Sequence, residues 1–302
     1  MSNNKNSIQC IGLLLSMVMT CSCNKKEAAP APSNKDENYL VVSDNPNDPM
    51  DHAVFELYKA TGIPVFYSDT IGHRQVGDSA GIPQYFYIRL MLNYSPSTGE
   101  SNSIRYTLVP RERRLKSMLD LLENQLLTVL PPLPSVFLTD SLYTPSRDIP
   151  IIRNAQVGFN TVAIRSLDPD TMSADAKSEY VLAVLTRVAS QKLQMLKSDQ
   201  LKTDFYNISE QMSPYLDPYH KQLVEISDGS QTFEDFGFIV TVKSQNKIYS
   251  PDRTADLESY LQAVFSSSTN DFNSMYASYP AVLKKFAAMR SMLADLKFKL
   301  PV

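Results

Sequence analysis

The sequence predicts an α+β domain with a small N-terminal sheet and helices, a central long helix, and a mostly helical C-terminal part. The first observation is a set of short apolar and aromatic runs, bounded by turn residues, in the first half of the chain. The second is the stretch 172–209, where apolar residues recur at helical spacing and Ser173 is placed to cap a helix. The third is that the clearest later segments, 252–265 and 280–298, are helical in pattern.

The remaining elements follow in chain order from local signals. Asp48 and Pro49 suit the N-cap and first position of a helix that Gly62 ends. A loop is predicted across the three glycines between 72 and 81, and an extended segment at 236–242. The strand candidates are 63–67, 84–94, 104–109, 136–139 and 161–165. The helix candidates besides the central one are 48–62, 111–129, 199–209, 252–265 and 280–298.

Length and charge limit the function classes. The chain has 302 residues, with 29 Lys and Arg against 32 Asp and Glu. Such a balance lacks the basic surface that nucleic-acid binding requires, so no nucleic-acid partner is predicted.

All cysteines lie at the N-terminus. Cys10, Cys21 and Cys23 are the 3 cysteines of the chain, so the rest of it holds neither a disulfide nor a thiolate metal site. An apolar run at 8–19 follows Lys5 and is too short to span a bilayer. This arrangement is typical of a secretory leader.

The end of the leader resembles the bacterial lipoprotein signal. The run stops at Thr20-Cys21-Ser22-Cys23, with Cys23 as the residue to be cleaved at and acylated, Cys21 as the alternative, and an ordinary secretory signal as a third reading. The predicted organisation is a signal peptide at 1–22, a flexible tether at 23–47 and a folded domain at 48–302. The membrane is then a partner through a palmitate-type lipid.

The charged residues after the anchor bear on localisation. Lys25, Lys26 and Glu27 resemble the signal that sends some lipoproteins to the outer face of the outer membrane. We therefore expect an outer-membrane lipoprotein at the cell surface, with the periplasmic face as the alternative.

Three segments of the body resemble one family. They are MDHAVFELYKATGIPVFY at 50–67, LKTDFYNISEQMSPY at 201–215 and ADLESYLQAVF at 255–265. Together they resemble the zinc-binding metallopeptidase lipoproteins found beside outer-membrane nutrient-uptake systems in anaerobic gut bacteria. The resemblance implies a zincin-like fold for 48–302.

The family's zinc motif, H-E-x-x-H on the central helix, is absent from this chain. The matching positions are Thr186, Arg187 and Ser190, and none supplies an imidazole or the catalytic carboxylate. In a gapless alternative the positions are Ala189, Ser190 and Leu193. Glu258 falls near the acidic position of a later helix in the family.

The histidines of this chain do not restore the zinc motif. His52, His73 and His220 show no ligand spacing, so no metal, cofactor or catalytic residue is predicted.

The resulting hypothesis is a pseudoenzyme. The scaffold of a zinc metallopeptidase would persist without its metal, and would bind a peptide or glycan as an accessory to an outer-membrane uptake complex. One alternative is an unrelated surface glycan- or nutrient-binding lipoprotein, which exposed tyrosines on a flat face would favour. The other is an active hydrolase that uses Glu258.

Overall fold

The computed structural model describes residues 38–92, 104–110, 115–212, 217–219, 232–244 and 247–301. The predicted signal peptide, the lipidation site at Cys23 or Cys21, the first part of the tether and His220 lie outside the described residues. Within the described ranges, no helix is both long enough and apolar enough to cross a membrane.

Helices and strands alternate in the first half, and helices dominate the second. The helices are α1 (Pro49–Thr61), α2 (Lys116–Leu121), α3 (Ala174–Leu196), α4 (Ser198–Gln200), α5 (Asn207–Met212), α6 (Arg253–Ser266), α7 (Thr269–Met275) and α8 (Pro280–Asp295). The strands are β1 (Val65–Phe66), β2 (Thr70–Ser79), β3 (Ile82–Arg89), β4 (Arg105–Leu108), β5 (Val136–Thr144), β6 (Ile151–Ile152), β7 (Ala155–Val157), β8 (Val162–Arg165), β9 (Val242–Ser244) and β10 (Lys247–Tyr249). The predicted α+β class is confirmed, and so is the central long helix.

Two segments adjoining these helices form π-helical turns. The first, Leu122–Leu126, continues α2, and the second, Leu201–Tyr206, joins α4 to α5. Single 3₁₀ turns occur at Pro169–Thr171 and Glu234–Phe236.

The main sheet has six strands organised around β5. The first half of β5 pairs in parallel with β1 and β8, because Val136 is in register with both Val65 and Val162. Its second half pairs antiparallel with β4 and β6, and β7 pairs antiparallel with β8. The buried run at the start of β5 is typical of a strand covered on both faces.

The core lies where α3 packs on the sheet side and on α6 and α8. Val184, Val188 and Leu193 of α3 are fully buried in it. Val188 lies nearly in line with Val184, four residues earlier, whereas Leu193 lies on the opposite side from Val184, so α3 is buried on more than one face. α3 therefore places the polar residues of its other faces at a fixed position relative to α6.

Capping side chains define the helix starts that the sequence predicts. Asp48 accepts hydrogen bonds from the backbone N–H groups of Met50 and Asp51, and Gly62 ends α1 with φ at 71°. Ser173 and Asp252 cap α3 and α6 in the same way.

The glycine-containing loop predicted between 72 and 81 is wrong. This segment forms β2, which pairs with β3 as a two-stranded hairpin separate from the main sheet. Ala80 and Gly81 both have positive φ, 54° and 83°, as a tight hairpin turn of matching twist requires. Cross-strand pairing therefore outweighs the low strand propensity of the glycines.

Smaller differences concern the ends of elements. The extended segment predicted at 236–242 begins instead as the end of a 3₁₀ turn at Phe236, and β9 starts only at Val242. Leu40 and Val42, within the predicted tether, pack against buried apolar clusters of the domain.

Candidate functional site

Thr186, Arg187 and Ser190, the positions predicted to match the zinc motif, lie together on one side of α3. Thr186 and Ser190 are buried and Arg187 is half-buried. Gln191, one turn beyond Arg187, accepts a hydrogen bond from the Val157 backbone N–H of β7 over 2.8 Å. This side of α3 is therefore fixed to the sheet.

Arg187 is the charged residue at this position. α3 packs along α6, which carries Glu258. Burial lowers the pKa of the Arg187 guanidinium, the nearby charge of Arg153 lowers it further, and Glu258 opposes both. Arg187 and Glu258 thus lie within electrostatic reach of each other. We call this region the α3/α6 seam: Thr186, Arg187 and Ser190 with Glu258.

Two polar atoms in the seam have no hydrogen-bond partner within the described part of the chain. They are the buried Thr186 Oγ1 and Arg187 Nε. Leaving such atoms unpaired in the interior is unfavourable. The seam therefore contains a hydroxyl group and a guanidinium N–H to which no described residue forms a hydrogen bond.

The residues of the seam do not fit zinc. Thr186, Arg187 and Ser190 supply no imidazole or carboxylate for a tetrahedral site, and a guanidinium repels a cation. Across the described residues, no group of three His, Cys, Asp or Glu side chains is arranged to hold a metal ion. In the gapless alternative, Ala189 and Leu193 are fully buried within the main apolar core.

The described histidines lie elsewhere. His52 of α1 is exposed, and its Nδ1 lies 2.8 Å from Asp44 Oδ1, a contact that raises the pKa of the imidazole. His73 lies on the hairpin.

A pocket of about 430 Å³ opens at the end of the seam. It is lined by Gln194, Ser198, Leu201, Lys202, Tyr206 and Arg253. Gln194 Nε2 donates to Ser190 Oγ over 3.4 Å, so the pocket adjoins the seam. Arg253 is held by an ion pair of 2.6 Å with Glu210.

A second polar group lies on the other side of α6, inside the C-terminal core. Lys285 of α8 and Asp256 of α6 are both 0% exposed, and Lys285 Nζ lies 2.6 Å from Asp256 Oδ2. The Tyr219 hydroxyl donates to the same Oδ2 over 2.9 Å, and Lys285 Nζ donates to Ser209 Oγ over 3.1 Å. Asp256 Oδ1 is buried and accepts no hydrogen bond from any described residue.

Aromatic rings enclose the ammonium group. The ring centroids of Phe205, Phe238, Tyr260 and Tyr219 lie 4.4, 4.9, 5.0 and 5.9 Å from Lys285 Nζ. Ring faces attract a cation at such distances. We call these four rings with Lys285, Asp256 and Ser209 the lysine cage.

Burial shifts both ionisable groups of the cage toward their neutral forms. It lowers the pKa of Lys285 and raises the pKa of Asp256, while the opposite charge of each partner counteracts the shift. Burial also raises the pKa of the Tyr219 hydroxyl, so this group keeps its proton.

The sequence prediction overlooked the cage, although a signal for it exists. Lys285 lies within the apolar stripe of α8, between Val282 and Met289, and Asp256 lies beside Leu257 on the buried face of α6. A charged residue inside a helical apolar stripe must find a buried partner. The prediction singled out Glu258 of α6 and passed over Asp256.

The hairpin presents aromatic side chains to solvent. Tyr85 and Tyr87 are 46% and 54% exposed and share one face with His73, whose ring centroid is 5.1 Å from that of Tyr85. On the opposite face, Arg74 lies over the ring of Phe86. The hairpin is therefore a second candidate surface, separate from the seam.

Comparison of the chain with protein-family models, with curated proteins and with solved structures finds no match.

Proposed function

We propose that the chain is a lipid-anchored outer-membrane lipoprotein with a zincin-like scaffold that binds a ligand without cleaving it. The observation that carries the proposal is Arg187, whose guanidinium occupies the general-base position of the resembled motif, within electrostatic reach of Glu258. A positive charge there opposes both metal binding and activation of water. The adjoining pocket supplies room for a peptide side chain or a short glycan.

The proposed role is accessory. Anchored through Cys23, or Cys21 in the alternative, the domain would hold nutrient peptide or glycan beside an outer-membrane uptake complex. The cell surface is the proposed face, and the periplasmic face is the alternative.

Rebuilding the metal site tests the scaffold. The triple variant Thr186→His, Arg187→Glu and Ser190→His writes H-E-V-A-H into α3, and Glu258 of the packed helix α6 is the proposed third ligand. We expect the full chain, purified in mild detergent without chelator, to gain zinc toward one equivalent, while the unchanged chain stays well below it. Adding Glu258→Gln to the triple variant should weaken zinc binding.

The outcomes separate two claims. A folded triple variant that takes up no zinc would contradict the zincin-like scaffold. A full equivalent of zinc on the unchanged chain, or hydrolysis of labelled casein by it, would contradict the non-catalytic role.

Peptide binding tests the pocket. Immobilised full chain should retain casein peptides, and Lys202→Glu should change the retained set because Lys202 lines the pocket. Lys284→Glu is the matched control, since Lys284 is also exposed but lies on α8 outside the pocket. Equal retention by both variants would remove the pocket from the proposal.

The exposed tyrosines favour a second candidate, a surface glycan-binding lipoprotein. Tyr85 and Tyr87 with His73 form an aromatic face of the kind that stacks on sugar rings. Migration of the full chain should be retarded in native gels containing starch or xylan, and Tyr85→Ala with Tyr87→Ala should abolish the retardation. Phe86→Ala, on the opposite face of the same hairpin, is the control and should leave it unchanged.

A further inference from the structure

The lysine cage brings an amine and a carboxyl group into contact where water is excluded. Lys285 Nζ and Asp256 Oδ2 are 2.6 Å apart, although the residues are 29 positions apart in the chain. Both side chains are fully buried, and four aromatic rings surround the amine. An ordinary surface ion pair is neither fully buried nor enclosed by aromatic rings.

We propose that Lys285 and Asp256 condense to an isopeptide bond that covalently joins α8 to α6. Lys285 Nζ, as the neutral amine, attacks the Cγ atom of the protonated Asp256 carboxyl. The bond formed is Nζ–Cγ, and the bond broken is Cγ–Oδ2. The oxygen leaves as water with one proton from the carboxyl and one from the amine, so no oxidant or co-reactant is needed.

Tyr219 is placed to assist the proton transfers. Its hydroxyl donates to Asp256 Oδ2 over 2.9 Å and lies 3.4 Å from Lys285 Nζ, so it touches both reacting groups. The hydroxyl can accept a proton from the nitrogen while it donates its own proton to the departing oxygen. Ser209 Oγ, 3.1 Å from Nζ, holds the amine in place.

The surroundings favour the reactive protonation states. The neutral amine and the neutral acid are the forms that condense, and burial favours both of them. Contact within one fold also replaces a collision in solution, and well-oriented intramolecular reactions reach effective molarities of about 10⁵–10⁸ M. Expulsion of the product water from an apolar cage opposes the reverse reaction.

A cross-link of this kind suits a cysteine-free domain. The 3 cysteines of the chain lie at positions 10, 21 and 23, so no disulfide can staple the folded part. An isopeptide bond constrains the unfolded chain as a disulfide does, and reductants do not break it.

A tryptic map of the unmodified full chain tests the bond directly. Trypsin cleaves after Arg253, Lys284 and Arg290, and acylation of Lys285 blocks cleavage after that residue. We expect a branched product in which Asp256 of peptide 254–284 is joined to Lys285 of peptide 285–290. It has the same mass as the linear, incompletely cleaved peptide 254–290, so its two N-termini, seen by Edman degradation or tandem mass fragmentation, identify it. Recovery from native, folded protein of peptide 286–290, or of linear 254–290 with a single N-terminus, and of no branched product would overturn the proposal.

Variants separate the chemistry from the fold. Lys285→Arg keeps the positive charge but has no reactive amine, so the branched product should be lost. Asp256→Asn should still yield the same branched product, with ammonia leaving in place of water. Tyr219→Phe keeps both reacting groups and should slow the appearance of the product at least tenfold in a pulse-chase.

The control is Lys284→Arg, which should leave the link intact because this neighbour is exposed. A branched product that survives Lys285→Arg would also contradict the assignment, since the link would then involve another residue. Formation of the isopeptide bond depends neither on ligand binding nor on zinc. Absence of the branched product would therefore contradict the bond without contradicting the proposed function.

Discussion

Replacing Lys285 by methionine removes the positive charge from the lysine cage while keeping an apolar side chain of similar length. Asp256 would then be left 0% exposed with the Tyr219 hydroxyl as its remaining hydrogen-bond donor among the described residues. Breaking a buried ion pair from one side costs about 3–5 kcal/mol. A second estimate agrees, since keeping a carboxyl of usual pKa near 3.9 protonated at pH 7 costs about 4 kcal/mol.

The pH dependence follows from the sign of the shift. In the variant the pKa of Asp256 is raised above its unfolded value, because burial then acts without an opposing cation. Stability from the neutral carboxyl is fully present below the unfolded pKa and is lost as the pH rises. The loss of stability should therefore shrink by about 1.4 kcal/mol for each pH unit between pH 7 and pH 4.

Urea unfolding of the full chain in mild detergent measures this loss of stability. Far-UV circular dichroism follows the transition, because the chain has 0 tryptophans and so no tryptophan fluorescence to report unfolding. A loss below about 1 kcal/mol at pH 7, or an equal loss at pH 7 and pH 5, would refute the reasoning.

The double variant Lys285→Met with Asp256→Leu provides the control. It removes both charges and should recover to within about 1–2 kcal/mol of the unchanged chain if the pair is ionic. If the isopeptide bond forms, the double variant should stay about 3–4 kcal/mol less stable, because a loop closed by residues 29 apart is lost.

Four further changes test the local geometry. Gly237→Ala should destabilise by about 2–3 kcal/mol, because φ is 80° and the new Cβ would lie 3.0 Å from a cage side chain; Gly62→Ala, at φ 71° with nothing nearby, should cost about 1 kcal/mol. Asp48→Ala removes the acceptor of two N–H groups of α1 and should lower the unfolding free energy by about 1 kcal/mol. Asp44→Asn should return the pKa of His52 toward its ordinary value, which an NMR titration of the ring would follow. Because that pKa is raised, any stability from the contact is present at low pH and is lost as the pH rises through it.

The elements that the sequence predicts well are those with strong local signals. α1, α3, α6 and α8 combine apolar spacing with a capping residue or an initial proline. The observed ends of α1, α6 and α8 lie close to the predicted ones, whereas α3 begins near the start of the predicted stretch 172–209 but ends at Leu196. The hairpin was missed because three glycines in ten residues are typical of a loop, whereas pairing of β2 with β3 is a contact between segments. Local propensity cannot report such pairing.

The candidate site shows the same division. Thr186, Arg187 and Ser190 share a helix, so their nearness follows from spacing alone. The closeness of Glu258 depends on the packing of α6 along α3, which spacing does not determine. The partner of Lys285 could not be chosen from sequence either, because several carboxylates lie on the helices of the C-terminal part.

The π-helical turn at Leu201–Tyr206 has a consequence for how the chain tolerates changes in length. A π turn holds more residues than an α turn, so loss of one residue from it converts the turn to α-helix. The helix beyond it then keeps its rotation, and Ser209 still faces Lys285. Deleting a single residue within 201–206 should therefore leave the residues of the lysine cage in register, so this segment can absorb a change in chain length.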